Sequence, residues 1–478
     1  MNVARLLFPA IRWQAATGFA GAGALISDAL KLGVGGFIIF GGTADAVLAL
    51  TRDLQSRSRH PLLIAADLER GAGQQFAGAT PLPPLAALGY LDNTDITRYA
   101  GALTAREARA LGVNWIFAPV ADLDLEPANP IVGTRSFGAN AGAAAEHVAA
   151  WIRGCQDTGA LACAKHFPGH GRTTSDSHAE LPCVSASAAE LETDLVPFRA
   201  AIDARVSSMM TAHVAYPALD ASGAPATLSH AILTQLGRQR FGFDGLFVTD
   251  ALNMAGVLAD TRDEGVAAVR ALAAGCDAIL HPEDMHRVAG AIADAIGSTL
   301  PQDRVSDALA RIERAASRAG RPATNPALGR SEDHEWALDI ALRTIHTVRG
   351  NPLLPTGPVS VITIDDDVGG PFPPPARDSF LATLRELGVD AHRADPDVGV
   401  DSAIIAVYSD IRAWKGRPGL SNRAIENIAR VIRPDSVVIL FGHPRLADRR
   451  LPGDHVVAAW GGEELMQNAA ARWLVRHV

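Results

Sequence analysis

The stretch ALACAKHFPGHGRTTSDSH, residues 160–178, opens as an apolar strand and ends in ionisable side chains. Ala160 to Ala164 carry no charge, Lys165 and His166 follow at once, and Pro168 with Gly169 then turns the chain. A strand apolar on both faces suits a parallel sheet covered by helices. Ionisable groups confined to its last residues suit the end of a sheet where chemistry is done.

Seven further runs share this design: LLFPAI (6–11), GGFIIF (35–40), PLLIAAD (61–67), NWIFAPVAD (114–122), SSMMTAH (207–213), GLFVTD (245–250) and CDAILH (276–281). Each is followed by room for a helix. Eight such units over roughly 300 residues predict an α/β fold, a (β/α)8 TIM-like barrel. Asp67, Asp122, Lys165 with His166, His213, Asp250 and His281 end their runs, and in a barrel those positions share one mouth. Strands that simply stop where polar loops begin would give a similar pattern.

Beyond the barrel, SDALARIERAASRAG (306–320) has helical spacing and breaks into RPATNPALGR, whose two prolines mark a linker. A connecting helix is expected near 335–347. The alternation then restarts with VSVITID (359–365), SAIIAVYS (402–409), SVVILFG (436–442) and HVVAAWG (455–461), with helices at 379–387, 421–432 and 463–475. The expected boundaries are a barrel over 1–325, a linker and connecting helix over 326–350, and a smaller α/β sandwich over 351–478. The sandwich shows no catalytic cluster, so an accessory role is expected of it.

Composition narrows the function. The chain has 478 residues, 48% apolar and 20% charged, as soluble globular proteins do. A net charge of −9 opposes a nucleic-acid partner, and the basic run at 445–450 is too short to change that. Cys155, Cys163, Cys183 and Cys276 show neither C-x-x-C spacing nor disulfide density, so free thiols in a reducing compartment are expected. No uncharged apolar run reaches the roughly 18 residues of a membrane span. The segment 13–27 is too weakly hydrophobic for a leader, and the expected location is the cytoplasm.

Residues 165–178 are open to three chemistries. His166 and His170 have the spacing of helix-borne zinc ligands, but Pro168 and Gly169 lie between them and no glutamate adjoins His166, so no metal site is expected. PGHG and GGFIIFGG lack the spacing of a phosphate-binding loop. Acid/base work remains. Residues two apart in an extended segment point the same way, so Asp176 can orient the His178 ring and fix its tautomer. A solvated polar loop is the other reading of that pair. Asp250 ends an apolar strand, where desolvation raises a carboxylate pKa and donors such as Lys165 or backbone N–H groups would keep it ionised. Capping a following helix is the alternative for Asp250.

The runs KHFPGHGRTTSDSH, MMTAHVAYPALD, PATLSH and GFDGLFVTDALNM, in that order, closely resemble the barrel of glycoside hydrolase family 3, in its β-N-acetylglucosaminidase branch. GVNWIFAPVADLD and NPIVGTRSFG are similar to the same branch, and the second domain resembles the α/β sandwich that many members append. The resemblance implies that Asp250 is a nucleophile forming a glycosyl-enzyme with retention, and that His178 with Asp176 replaces the usual carboxylic acid/base. It implies that Asp67, Arg135, Lys165 and His166 hold sugar hydroxyls and that His213 lines the floor. It implies no cofactor.

The chain departs from the branch at DLERGAGQQF, residues 67–76, where Ala72 and Gln75 replace two expected arginines. The expected function is therefore a retaining exo-β-N-acetylglucosaminidase acting on β-N-acetylglucosaminides such as peptidoglycan fragments. The alternatives are a family 3 β-glucosidase or β-xylosidase, a phosphorylase, and a catalytically silent sugar-binding protein.

Overall fold

The computed structural model describes residues 2–175, 180–319, 328–369, 374–395, 403–411, 415 and 417–476. By compactness the chain divides into two units. The first holds residues 1–80, 93–125 and 136–330, and the second holds 81–92, 126–135 and 331–478.

In the first unit, strand β1 is split by Pro9 into Leu7–Phe8 and Ala10–Arg12, because proline has no N–H to give a ladder. The others are β2 (Gly36–Phe40), β3 (Leu63–Ala66), β4 (Trp115–Ile116), β5 (Leu161–Phe167), β6 (Ser208–Thr211), β7 (Leu246–Val248) and β8 (Ile279–Leu280). Neighbours pair in parallel from β1 to β7. A bridge from Val248 to Ala278 and the pairing of Leu7 with Ile279 close the ring. The expected (β/α)8 barrel is therefore present.

The strands form because their side chains have dry surroundings on both faces: all seven residues of β5 and all four of β3 are buried. Phe8 and Trp115 meet edge to face at 5.4 Å, and the buried indole N–H of Trp115 donates to Ser208 Oγ at 2.8 Å. Each buried methylene there contributes roughly 0.8 kcal/mol, and the paired N–H removes the desolvation cost of a lone donor. Only Trp115 and Ile116 of the run 114–122 join the main ladder, with Val120 making an isolated bridge to Lys165.

Outside the ring, helices Thr94–Ala110 and Ala141–Asp157 start at Asn93 and Asn140, whose side chains accept from backbone N–H groups of the first turn. They pack closely at Gly101 and Gly154. Helix Gln302–Ala319 begins four residues before the expected 306 and buries Val305, Ala308, Ile312, Ala316 and Ala319, a single stripe at helical spacing.

The second unit has a six-stranded sheet. Its strands are β9 (His346–Arg349), β10 (Val359–Asp365), β11 (Ala391–Ala394), β12 (Ala403–Ser409), β13 (Val437–Gly442) and β14 (His455–Ala458), in the order β9-β14-β13-β12-β10-β11. Only the β9 pairing is antiparallel. One face packs Leu384, Met466 and Ala341 from three helices, and the other packs Ala424 and Ile428 from helix Asn422–Val431. This is the expected α/β sandwich.

Two of its features differ from expectation. The connecting helix runs over Ser331–Thr344, and β9 follows it; β11 was also not expected. Both strands lie at sheet edges and are largely exposed, so they carry polar residues where a buried strand carries apolar ones.

Candidate active site

The carboxyl ends of the barrel strands carry the charged groups. Lys165, near the end of β5 and 2% exposed, gives its Nζ hydrogens to Asp67 Oδ1 at 2.6 Å and to Glu69 Oε1 at 2.8 Å, both just beyond β3. An ammonium buried this deeply is held charged by such partners. Lys165 therefore supports Asp67 and Glu69, and of the donors expected for Asp250 the backbone N–H of Ala251 is one that serves it.

His166 shares its Nδ1 with Asp122 Oδ2 at 2.7 Å, while Asp122 Oδ1 accepts the backbone N–H groups of His166 at 3.0 Å and His170 at 2.7 Å. Burial acts to raise the Asp122 pKa, but the charge and hydrogen bond of His166, helped by His170, hold it below the ordinary carboxylate value. Asp122 thus organises the whole turn after β5.

The remainder of that turn is equally fixed. His170 Nδ1 lies 2.7 Å from Thr173 Oγ1, and burial pushes the ring down to about 4, opposed by Asp122, so it stays neutral near pH 7. The Tyr216 hydroxyl donates to the Gly169 carbonyl at 2.7 Å. Gly171 passes so close to the segment after β4 that an added Cβ would lie 1.9 Å from the Leu123 carbonyl oxygen. Arg172 Nε donates to both oxygens of Asp194. Asp176 and His178 lie outside the described residues.

Asp250 stands at the end of β7 and is half-buried, with Oδ1 accepting from Ala251 N at 2.7 Å. The helix beyond it, Ala255–Thr261, is preceded by Met254 at its cap, so Asp250 does not cap it. His213, 1% exposed at the end of β6, gives Nε2–H to the Ala251 carbonyl at 3.1 Å and pairs Nδ1 with Thr227 Oγ1 at 2.7 Å. Its bonds steady the backbone beside Asp250. Arg135 falls in the second unit, on the short turn Gly133–Arg135, where its backbone N–H donates to the Val132 carbonyl.

Sequence reasoning placed His281 at the mouth but overlooked its neighbour Arg12, at the end of β1. The Arg12 guanidinium lies 4.3 Å over the Phe40 ring and donates to His281 Nε2 at 3.1 Å. Burial lowers the Arg12 pKa and the nearby Asp67 carboxylate opposes that shift. Burial and the Arg12 charge lower the His281 pKa. Arg12 ends its strand as Asp67 and Asp250 end theirs, so the same rule could have found it. Gln75 Oε1 accepts the Gly41 N–H at 3.0 Å and Ala72 is fully buried.

Among the described residues no group of three or more His, Cys, Asp and Glu is placed to hold a metal ion, and no helix is long and apolar enough to cross a membrane. Cys155, Cys163 and Cys276 are buried and Cys183 is exposed, all as free thiols; burial pushes Cys163 up to about 12.

A ring of parallel strands ending in paired carboxylates, an ammonium and imidazoles, with a half-buried carboxylate at the end of β7, defines a barrel enzyme of the glycosidase class. Comparison with known proteins makes this specific. Residues 22–315 match the glycosyl hydrolase family 3 N terminal domain, and the chain belongs to that family.

A Cellulomonas fimi protein named β-N-acetylglucosaminidase/β-glucosidase is 35% identical over 396 residues, 77% of this chain and 70% of that protein. A Thiobacillus denitrificans β-hexosaminidase is 38% identical over 328 residues, 66% of this chain and 87% of that protein. The solved structure of a family 3 β-N-acetylglucosaminidase from Paenibacillus sp. str. FPU-7 superposes with a TM-score of 0.86 at 26% identity, covering 100% of this chain and 96% of that one.

Proposed function

We propose that the protein is a retaining exo-β-N-acetylglucosaminidase, with Asp250 as nucleophile. The observation that carries this is Asp250 itself, a half-buried carboxylate at the end of β7 that caps no helix, within the span that matches the family. In the first step Asp250 attacks the anomeric carbon while His178, oriented by Asp176, protonates the departing oxygen. In the second, neutral His178 takes a proton from water as that water displaces Asp250. A histidine with an unperturbed pKa of about 6.5 serves both steps near neutral pH. Asp67, Lys165 and His166 hold sugar hydroxyls and His213 lines the floor of the subsite, and the family resemblance assigns Arg135 to sugar binding as well; no cofactor takes part. Peptidoglycan fragments in the cytoplasm are the proposed setting, and the free thiols support a reducing compartment.

The test is hydrolysis of an aryl β-N-acetylglucosaminide beside the aryl β-glucoside, for wild type and Asp250→Asn. Turnover of the acetamido substrate that falls by about 10⁴ or more in the variant is expected; equal turnover in the variant would move the nucleophile elsewhere. A second reading, that glucosides are also taken, is favoured by the 67–76 loop, where Gln75 is committed to the Gly41 N–H and Ala72 offers no guanidinium. Comparable rates on the two aryl substrates would establish it.

A further inference from the structure

At the opposite end of the barrel, where strands begin, there is a second concavity. It has a volume of about 400 Å³ and is lined at the amino ends of β5, β6 and β7 by Leu161, Val206 and Leu246. Phe243 also lines it, and helix Gln302–Ala319 brings Arg311, Arg314 and Arg318 to it, opposite Arg205. Four guanidinium groups therefore surround one hollow, and among the described residues Asp244 is the sole carboxylate in its lining.

Arg311 is already neutralised. It donates to Asp244 at 2.6 Å and to Asp307 at 3.1 Å, and the wholly buried Asp277 lies 3.9 Å away. Its Nη1 also donates to the Asp244 backbone carbonyl. The hydrogen bonds hold Arg311 in place, and they use up the acid that could have served the others. Arg205, Arg314 and Arg318 show no ion pair among the described residues and are exposed. Three like charges around one hollow raise the local positive potential, which a multiply charged anion lowers. The chain as a whole carries −9, so this local excess of positive charge is not a general property of the surface.

The floor selects further. Leu161, Val206, Leu246 and Phe243 give it an apolar base beneath a basic rim, which suits a ligand with a small organic body and a charged end. Guanidinium forks match phosphate oxygens in pairs. We infer that this hollow is a binding site for a phosphate monoester of hexose-phosphate or mononucleotide size, separate from the sugar-hydrolysing mouth.

The experiment is titration calorimetry of the full chain with glucose 6-phosphate, adenosine monophosphate and inorganic phosphate. It is repeated on the pair Arg314→Glu/Arg318→Glu and on Arg423→Glu, an exposed arginine of the second unit. Saturable one-to-one binding of an ester is expected, weakening with salt, competed by inorganic phosphate, and reduced about tenfold or more in the double variant only. Hydrolysis of the aryl glycoside should be unchanged in that variant, which separates this site from the mouth. If the charge-reversed pair does not fold by circular dichroism, Arg314→Gln/Arg318→Gln replaces it with the same expectation. No saturable binding by either ester, binding that survives loss of both arginines, or an equal loss in Arg423→Glu would overturn the inference. Binding of inorganic phosphate alone would overturn the assignment of an ester.

Discussion

Lys165 is a cation with almost no water, and Asp67 with Glu69 makes that tolerable. Replacing it by methionine keeps the volume and strands two carboxylates against each other, so Lys165→Met should destabilise the fold by about 3–5 kcal/mol. Denaturant unfolding measures this, and an unchanged midpoint would show that Asp67 and Glu69 relax into water at no cost. The variant should also raise KM, because Asp67 loses its orientation. His170 makes a different prediction, about pH. Its folded pKa, near 4, lies below the ordinary 6.5, so the unfolded chain binds more protons between those values. Stability should therefore fall as pH drops from about 6.5 towards 4, by up to about 3 kcal/mol. Unfolding of His170→Gln across that window checks it, and an equally steep pH slope in the variant would assign the effect to another group.

At the scale of elements, the crossing of helices Thr94–Ala110 and Ala141–Asp157 depends on two glycines. A Cβ at Gly154 would lie 1.9 Å from the Arg98 carbonyl oxygen, and one at Gly101 would lie 2.3 Å from that of Trp151. Neither backbone can yield without moving its helix. Gly154→Ala should cost about 1–3 kcal/mol in spite of alanine's better helix propensity, read as a lower melting temperature. A rise in melting temperature would mean that the helices separate freely. The same scale shows what was legible beforehand. Buried strands such as β5 and β12 announce themselves because both faces demand apolar side chains. Edge strands β9 and β11 do not, since their exposed residues obey solvent and their pairing depends on distant partners. β4 was overestimated because an apolar run continues through Ala118–Pro119 after the ladder has ended.

For the whole molecule, the division into units is not a single cut in the chain. The segment 81–92 carries helix Leu85–Tyr90, whose Ala86 and Ala87 are buried in the same core as Leu384 and Met466 of the sandwich. A chain ending at Arg330 keeps every barrel strand and the Asp67–Lys165 pair but leaves that helix without its core. We expect a lower melting temperature and poorer solubility for it by calorimetry and sedimentation. Melting that matches the full chain would show that 81–92 needs no partner.

The sequence by itself determined the periodicity of the strands, their count in the barrel and the placing of ionisable residues at their ends, because these follow from local chemistry and from what a doubly covered sheet tolerates. Only the tertiary structure decided which of those charges pair. It set Lys165 between Asp67 and Glu69, Asp122 beneath His166 and His170, and Arg12 over Phe40 beside His281. Those partners are contributed by different strands and loops, and only closure of the barrel brings them within hydrogen-bonding distance, in surroundings dry enough for each unpaired charge to be costly.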